Sequence, residues 1–149
     1  MKYQQLSRAA NIFLPIIAIG LMVYYRICDT SCSSLKGTLL GLDLVMVGIA
    51  AMVILLAISV LPQSLSFAPV AWLQTSILSG GIGGEAVLVR FQVVNGVYCP
   101  YCLGFGMCIL ALFAVNFPRM NRKLALCSCI AGGVVFALFF QGSVLLLYE

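Results

Sequence analysis

Five long apolar runs, separated by short breaks, constrain this 149-residue chain more than any other feature of its sequence. Four of the five prolines, Pro62, Pro69, Pro100 and Pro118, lie at or near the breaks. A bilayer core about 30 Å thick needs about 20 residues of helix for one crossing. We therefore predict an all-α integral membrane protein in which residues 1–149 form a single membrane domain. The predicted spans are 9–25, 39–61, 67–94, 103–117 and 124–148.

The charge content excludes several other classes of protein. Only 8% of the residues are charged and 63% are apolar, whereas a soluble domain carries about 25% charged residues. A disordered chain, a secreted disulfide scaffold and a nucleic-acid binder each need more polar surface than this. The sequence has no histidine, which removes imidazole ligands for metals and haem and also the commonest general base. We therefore predict neither a nucleic-acid partner nor a bound metal.

The distribution of lysine and arginine predicts the orientation in the membrane. Cytoplasmic loops of membrane proteins carry an excess of these residues. With a cytoplasmic N-terminus, fewer lysine and arginine residues lie outside than inside. We therefore expect the N-terminus to lie at the cytoplasmic face of a cell inner membrane. Two cysteine pairs, Cys28 with Cys32 and Cys99 with Cys102, then share the outer, oxidising side. The inner cations are Lys2, Arg8, Arg119, Arg122 and Lys123, and the outer ones are Arg26, Lys36 and Arg90.

The segment Cys99-Pro100-Tyr101-Cys102 opens the fourth predicted helix. Proline suits the first helical position, which places Cys99 near the N-cap. The positive end of the helix dipole there favours a thiolate over a thiol. Cysteines at this spacing can also alternate between dithiol and disulfide, so the pair can accept and donate two electrons. The alternatives are a static disulfide or, together with Cys28 and Cys32, a zinc site.

Two cysteine pairs on one membrane face predict an electron relay. Electrons would enter at the loop pair, Cys28 and Cys32, pass to Cys99 and Cys102, and leave into the membrane by thiol exchange. Such a relay needs a lipid-soluble acceptor, for which a quinone is the obvious candidate. We expect the remaining cysteines to be apolar filler, and these are Cys108, Cys127 and Cys129.

Glu85 lies inside the third apolar run, where a carboxyl group is uncommon. It is either a proton acceptor or polar contact for a quinone, or a protonated structural group bonded to a neighbouring helix. Arg90 is about 140° away around the helix, so an ion pair between the two is not expected. A group of glycines precedes Glu85 and allows either close helix packing or the approach of a flat ligand. These are Gly80, Gly81, Gly83 and Gly84.

Two stretches of the sequence resemble the bacterial branch of the vitamin K epoxide reductase family, whose members are quinone-coupled thiol oxidoreductases. One is Cys-Pro-Tyr-Cys at 99–102, at the head of a helix. The other, residues 33–42, is similar to the serine-serine, glycine and glycine-leucine-proline stretch that leads into the family's second helix. The resemblance implies a four-helix transmembrane bundle around a quinone, with an additional fifth helix here.

The resemblance also implies roles for individual residues. Cys102 would be the cysteine that contacts the quinone, and Cys99 would be its partner, which exchanges with the loop. Ser34 matches the family's functional serine, and Cys28 would be the shuttle to Cys99. Cys32 is the only candidate for the family's other loop cysteine.

Three features depart from the family's pattern. The family's other loop cysteine should lie upstream of Cys28, where residues 24–27 contain no cysteine. Asp43 stands in place of the proline, and Gly106 stands where some members carry a tyrosine that contacts the quinone.

The leading hypothesis is an enzyme, a quinone-dependent thiol-disulfide oxidoreductase. It would oxidise the dithiol of an extracytoplasmic thioredoxin-like protein acting in trans and pass the electrons to ubiquinone or menaquinone, with Cys102 and Glu85 at the quinone. One alternative is a cysteine-pair heavy-metal transporter of the mercury type, which needs a path of cysteines through the bilayer. The same-side placement of the two pairs disfavours it. Another alternative is an assembly factor with inert cysteines.

Overall fold

The computed structural model describes residues 2–27, 35–61 and 68–144, which form five α-helices and three short strands. The helices are α1 (Lys2–Ile27), α2 (Leu44–Val60), α3 (Ala68–Asn95), α4 (Pro100–Asn116) and α5 (Arg122–Phe139). A 3₁₀ turn at Phe117–Arg119 joins α4 to α5. The strands are β1 (Leu35–Leu39), β2 (Leu42–Asp43) and β3 (Phe140–Val144).

Four helical stretches are long and apolar enough to cross a membrane, and they confirm the prediction of a multi-pass membrane protein. Helix α2 is shorter, at 17 residues or roughly 26 Å. Large apolar side chains point outward, as they must where the surrounding solvent is lipid. Phe13, Trp72 and Leu138 are each more than 60% exposed. The four stretches are Ser7–Ile27, Pro69–Asn95, Pro100–Arg119 and Arg122–Phe139.

The second and fifth predicted spans are wrong at one end each. Helix α2 begins at Leu44 rather than at residue 39, and α5 ends at Phe139 rather than at residue 148. The strands β1 and β2 precede α2, and β3 follows α5. Together they form a three-stranded antiparallel sheet in the order β2-β1-β3, with Leu39 opposite Phe140. Hydropathy alone does not separate a short apolar strand from the end of an apolar helix.

Local sequence explains where the sheet turns and where α2 starts. Leu40 and Gly41 both have positive φ, 54° and 81°, as a two-residue hairpin with the twist of the flanking strands requires. Asp43 then caps α2, because its carboxylate accepts a hydrogen bond of 3.0 Å from the Val45 N–H. The cap fixes the first residue of the helix.

The buried core lies between the first four helices, and α5 packs against α3. This arrangement confirms the expected four-helix bundle with an additional helix. Each of the first four helices contributes apolar side chains to one continuous cluster. Its buried members are Ala18, Met22, Met52, Leu55, Leu78, Phe105, Cys108, Ile109 and Leu112.

Glycines bring α3 and α5 into backbone contact. A Cβ atom on Gly83 would overlap the Cys129 carbonyl oxygen, and one on Gly132 would overlap the Gly80 carbonyl oxygen. Helices in lipid associate closely where small residues face each other. Gly80 and Gly83 therefore take part in close helix packing, one of the two roles expected for the glycine group.

The helices run up and down, so the bundle has two distinct ends. At one end, Arg26 in the last turn of α1 approaches Asp43 before α2 (3.8 Å), and Gln92 of α3 meets Cys99 before α4. We call this the Cys99 end. The opposite end, where Asn116 closes α4, is the Asn116 end.

Candidate functional site

Cys99 is the N-cap of α4 and is almost fully buried, with 1% of its surface exposed. Pro100 occupies the first turn, as the sequence predicts. The Cys102 N–H donates a hydrogen bond to Cys99 Sγ (3.4 Å), so the sulfur lies at the positive end of the helix. This geometry stabilises negative charge on the sulfur of Cys99.

Gln92 holds the cysteine segment in place from the end of α3. Its side-chain oxygen accepts a hydrogen bond of 2.9 Å from the Cys99 N–H, and its main-chain carbonyl accepts one of 3.1 Å from the Val97 N–H. Gln92 is 2% exposed. Gly96, with φ at +65°, makes the tight turn that lets the chain fold back to Gln92.

Sequence reasoning missed Gln92. The available signal was a polar side chain inside an apolar helix near the cysteine pair, a pattern that marks functional or structural sites in membranes.

A cavity of about 880 Å³ opens inside the Cys99 end of the bundle. Cys102 lines it, whereas Cys99 does not. Most of the wall is apolar, with Phe105 and Ile109 from α4 and Phe136 from α5. The size and the lining of the cavity suit a flat, apolar ligand that carries a few polar atoms.

Glu85 places a carboxyl group in the wall of the same cavity. It lies against Gly106, one turn beyond Cys102 on α4, where an added Cβ would be 2.8 Å from Glu85 Oε2. Gly106 therefore provides the space that the Glu85 carboxyl group occupies. Arg90 is exposed and makes no ion pair with Glu85 in the part of the chain that the structure describes, in agreement with the helix geometry.

The small sheet forms part of the cavity wall, a feature that the sequence did not predict. Lys36 and Thr38 of β1 and Phe140 of β3 line the cavity, as do Arg26 and Asp43. The Arg26 and Asp43 side chains are about half exposed, so their ion pair lies at the surface of the Cys99 end.

The predicted loop residues Cys28, Cys32 and Ser34 lie outside the described residues. The chain on either side of them does belong to the Cys99 end. Before the loop, the Tyr24 and Tyr25 rings lie 5.5 and 6.2 Å from the Tyr101 ring, between centroids. After it, β1 leads directly to the cavity wall.

The other cysteines lie away from the cavity lining. Cys108 is buried in the bundle core, as expected for apolar filler. Cys129 is half-buried, and Cys127 is exposed on α5 and does not pack in the bundle core. Residues 2–27, 35–61 and 68–144 contain no cluster of three or more cysteine, aspartate or glutamate side chains that would hold a metal. The zinc alternative involves Cys28 and Cys32, which this finding does not cover.

Compared with protein-family models, with curated proteins and with solved structures, the chain shows no significant match.

Proposed function

We propose that this protein is a membrane thiol-disulfide oxidoreductase that passes electrons from an extracytoplasmic thioredoxin-like dithiol protein to a membrane quinone. The observation that carries the proposal is the separation of roles within one cysteine pair. Cys102 lines an apolar cavity of about 880 Å³, and Cys99, one turn away, caps the helix outside the cavity lining. One sulfur can therefore face a ligand in the bundle, and we assign the exchange with the loop thiols to the other, which is buried at the start of α4.

The cavity wall fits a quinone. Its apolar side chains suit the ring and the isoprenoid tail, and Glu85 and Gln92 supply polar groups for the carbonyl oxygens. Bound there, a quinone takes up two electrons and two protons and becomes the hydroquinone. The resemblance to the vitamin K epoxide reductase family supports the same ligand, with Gly106 and Glu85 in the place of the tyrosine that some members carry.

The thiol chemistry balances within the two pairs. In the oxidised pair, a thiolate from the loop attacks Cys99 Sγ, and the Cys99–Cys102 bond breaks to release the Cys102 thiolate. The second loop thiol then attacks its partner, which leaves Cys28 and Cys32 joined and Cys99 and Cys102 as a dithiol. The external dithiol protein reduces the loop pair in turn and becomes a disulfide.

The cavity residues then complete the cycle. Cys102 gives up two electrons at the cavity and re-forms its bond with Cys99, and the two thiol protons leave with them. Glu85 of α3 lies in the cavity wall against Gly106, which is one turn beyond Cys102 on α4, and we assign Glu85 the transfer of a proton. Gln92 is a positioning residue, because it fixes the backbone of Cys99.

The proposed orientation has the N-terminus in the cytoplasm and both cysteine pairs on the outer side of the inner membrane. It rests on the distribution of lysine and arginine. The path of the described chain supports the shared side, since Ile27, after which Cys28 follows, ends α1 at the Cys99 end. Alkylation of intact cells tests it, because a membrane-impermeant maleimide should reach Cys28 from outside. Labelling of Cys28 from the cytoplasmic side alone would contradict the orientation.

Steady-state turnover tests the activity itself. Purified protein receives a dithiol donor and a short-chain ubiquinone or menaquinone analogue, and hydroquinone is measured by absorbance. We expect Cys102→Ser to abolish turnover and Cys108→Ser, a change in the bundle core outside the cavity lining, to leave it near the wild-type rate. A heavy-metal transporter or an assembly factor would show no turnover in the wild type.

A further inference from the structure

A second cavity, of about 560 Å³, lies at the Asn116 end of the bundle. It is bounded by the first turns of α1 and α3 and by the last turns of α2 and α4. Two arginines line it, Arg8 from α1 and Arg119 from the 3₁₀ turn after α4. Two positive charges that lie 111 positions apart in the sequence are therefore found in the wall of one cavity.

Neither arginine has a carboxylate partner among the described residues. That part of the chain holds two acidic side chains, Asp43, which pairs with Arg26, and Glu85, which lines the other cavity. Both belong to the Cys99 half of the molecule. The guanidinium groups of Arg8 and Arg119 thus keep their donors for a ligand.

A cluster of amide side chains fixes the relative positions of the two arginine-bearing segments. Asn11 and Asn116 exchange hydrogen bonds of 3.1 and 2.6 Å, and Gln74 of α3 also donates to Asn116 Oδ1 (3.5 Å). Arg8 is three positions before Asn11, on the same face of α1. Arg119 is three positions after Asn116, through the 3₁₀ turn, where residues at that spacing are eclipsed. Asn11, Gln74 and Asn116 form a hydrogen-bonded hub that joins α1, α3 and α4. Each arginine lies three positions from a residue of this hub.

The amide group of Asn116 is fully occupied by its neighbours. Asn116 Nδ2 donates to Asn11 and to the Leu112 carbonyl (2.8 Å), and its Oδ1 accepts from Asn11 and Gln74. The charged side chains in the cavity wall are the two arginines, which favour an anion as the ligand. A planar guanidinium group matches the geometry of phosphate oxygens, to which it can donate two hydrogen bonds.

We propose that this cavity binds the phosphate head group of an anionic phospholipid. Basic pockets between helices at one face of a membrane recognise such head groups. The apolar part of the wall, Ile12 and Ile58, continues into the exposed side chains of Val60 and Leu61, along which acyl chains can lie. A free phosphate ion offers the same oxygens but makes no use of that apolar surface. The proposal is independent of the thiol chemistry at the other end.

Native mass spectrometry of the purified protein in detergent tests the site. Phosphatidylglycerol and phosphatidylcholine with the same acyl chains are titrated separately, and inorganic phosphate is added in a third series. We expect one tightly bound phosphatidylglycerol, and roughly tenfold weaker binding in the double variant Arg8→Gln and Arg119→Gln. Both side chains are exposed, so the changes leave the packing intact.

Arg122→Gln with Lys123→Gln is the matched control. It removes two exposed cations next to Arg119 that do not line the cavity. The control should bind phosphatidylglycerol like the wild type. Equal loss in both double variants would overturn the proposal, because it would show a diffuse surface charge. Equal binding of phosphatidylcholine, or displacement of the lipid by millimolar inorganic phosphate, would overturn it as well.

Discussion

The backbone contact between α3 and α5 yields a prediction whose size follows from the structure. A methyl group on Gly132 would overlap the Gly80 carbonyl oxygen and lie 2.6 Å from Gly80 Cα. These are main-chain atoms of a helix and cannot rotate aside, so the helices must separate by about 1 Å to reach ordinary contact. We expect Gly132→Ala to lower the free energy of unfolding by about 1–3 kcal/mol.

Gly20→Ala is the control for this change. An added Cβ at Gly20 of α1 meets nothing within 4 Å, and alanine is the better helix former by about 0.8–1.0 kcal/mol. Gly20→Ala should therefore be neutral or stabilising. The assay is unfolding of the purified protein in mixed micelles by dodecyl sulfate, followed by far-ultraviolet circular dichroism. If Gly132→Ala unfolds at the same detergent fraction as Gly20→Ala, the close α3–α5 contact is refuted.

Three further predictions concern the cysteine site. Glu85→Gln keeps the shape of the side chain but removes its proton chemistry, so hydroquinone formation should slow by about 100-fold with thiol exchange unchanged in stopped-flow measurements; equal rates would remove Glu85 from the reaction. Gln92→Leu leaves the buried Cys99 N–H without its acceptor and should cost about 1–3 kcal/mol in the same unfolding assay, and no loss would contradict the positioning role. Cys102→Ala should trap a mixed disulfide between Cys28 and Cys99, which non-reducing peptide mapping detects; a map that joins Cys28 to another cysteine instead would contradict the transfer step.

The membrane helices were predictable because lipid leaves the chain few alternatives. A backbone in hydrocarbon must satisfy its own hydrogen bonds, so each long apolar run becomes a helix. The N-cap position of Cys99 was predictable for a similarly local reason, since Pro100 fits the first helical turn.

Features that depend on distant partners were not predictable. Residues 140–144 look like the end of an apolar helix and become a strand only because they pair with β1, about a hundred positions earlier. The bond from Cys99 to Gln92 depends on the turn at Gly96. The contact of Glu85 with Gly106 depends on how α3 packs beside α4. The sequence therefore indicated Cys102 and Glu85 as candidate residues but not the cavity whose wall they share.

A single-turnover experiment tests directly whether the Cys99–Cys102 pair reduces the quinone. Fully reduced protein, freed of excess reductant, is mixed with one equivalent of quinone, and hydroquinone and protein thiols are counted in the same sample. We predict one hydroquinone for every two thiols lost, both mapped to the Cys99 and Cys102 peptides when the loop cysteines are replaced by serine. Hydroquinone formed at the wild-type rate by Cys102→Ser, or formed without loss of these thiols, would show that the electrons do not come from the Cys99–Cys102 pair.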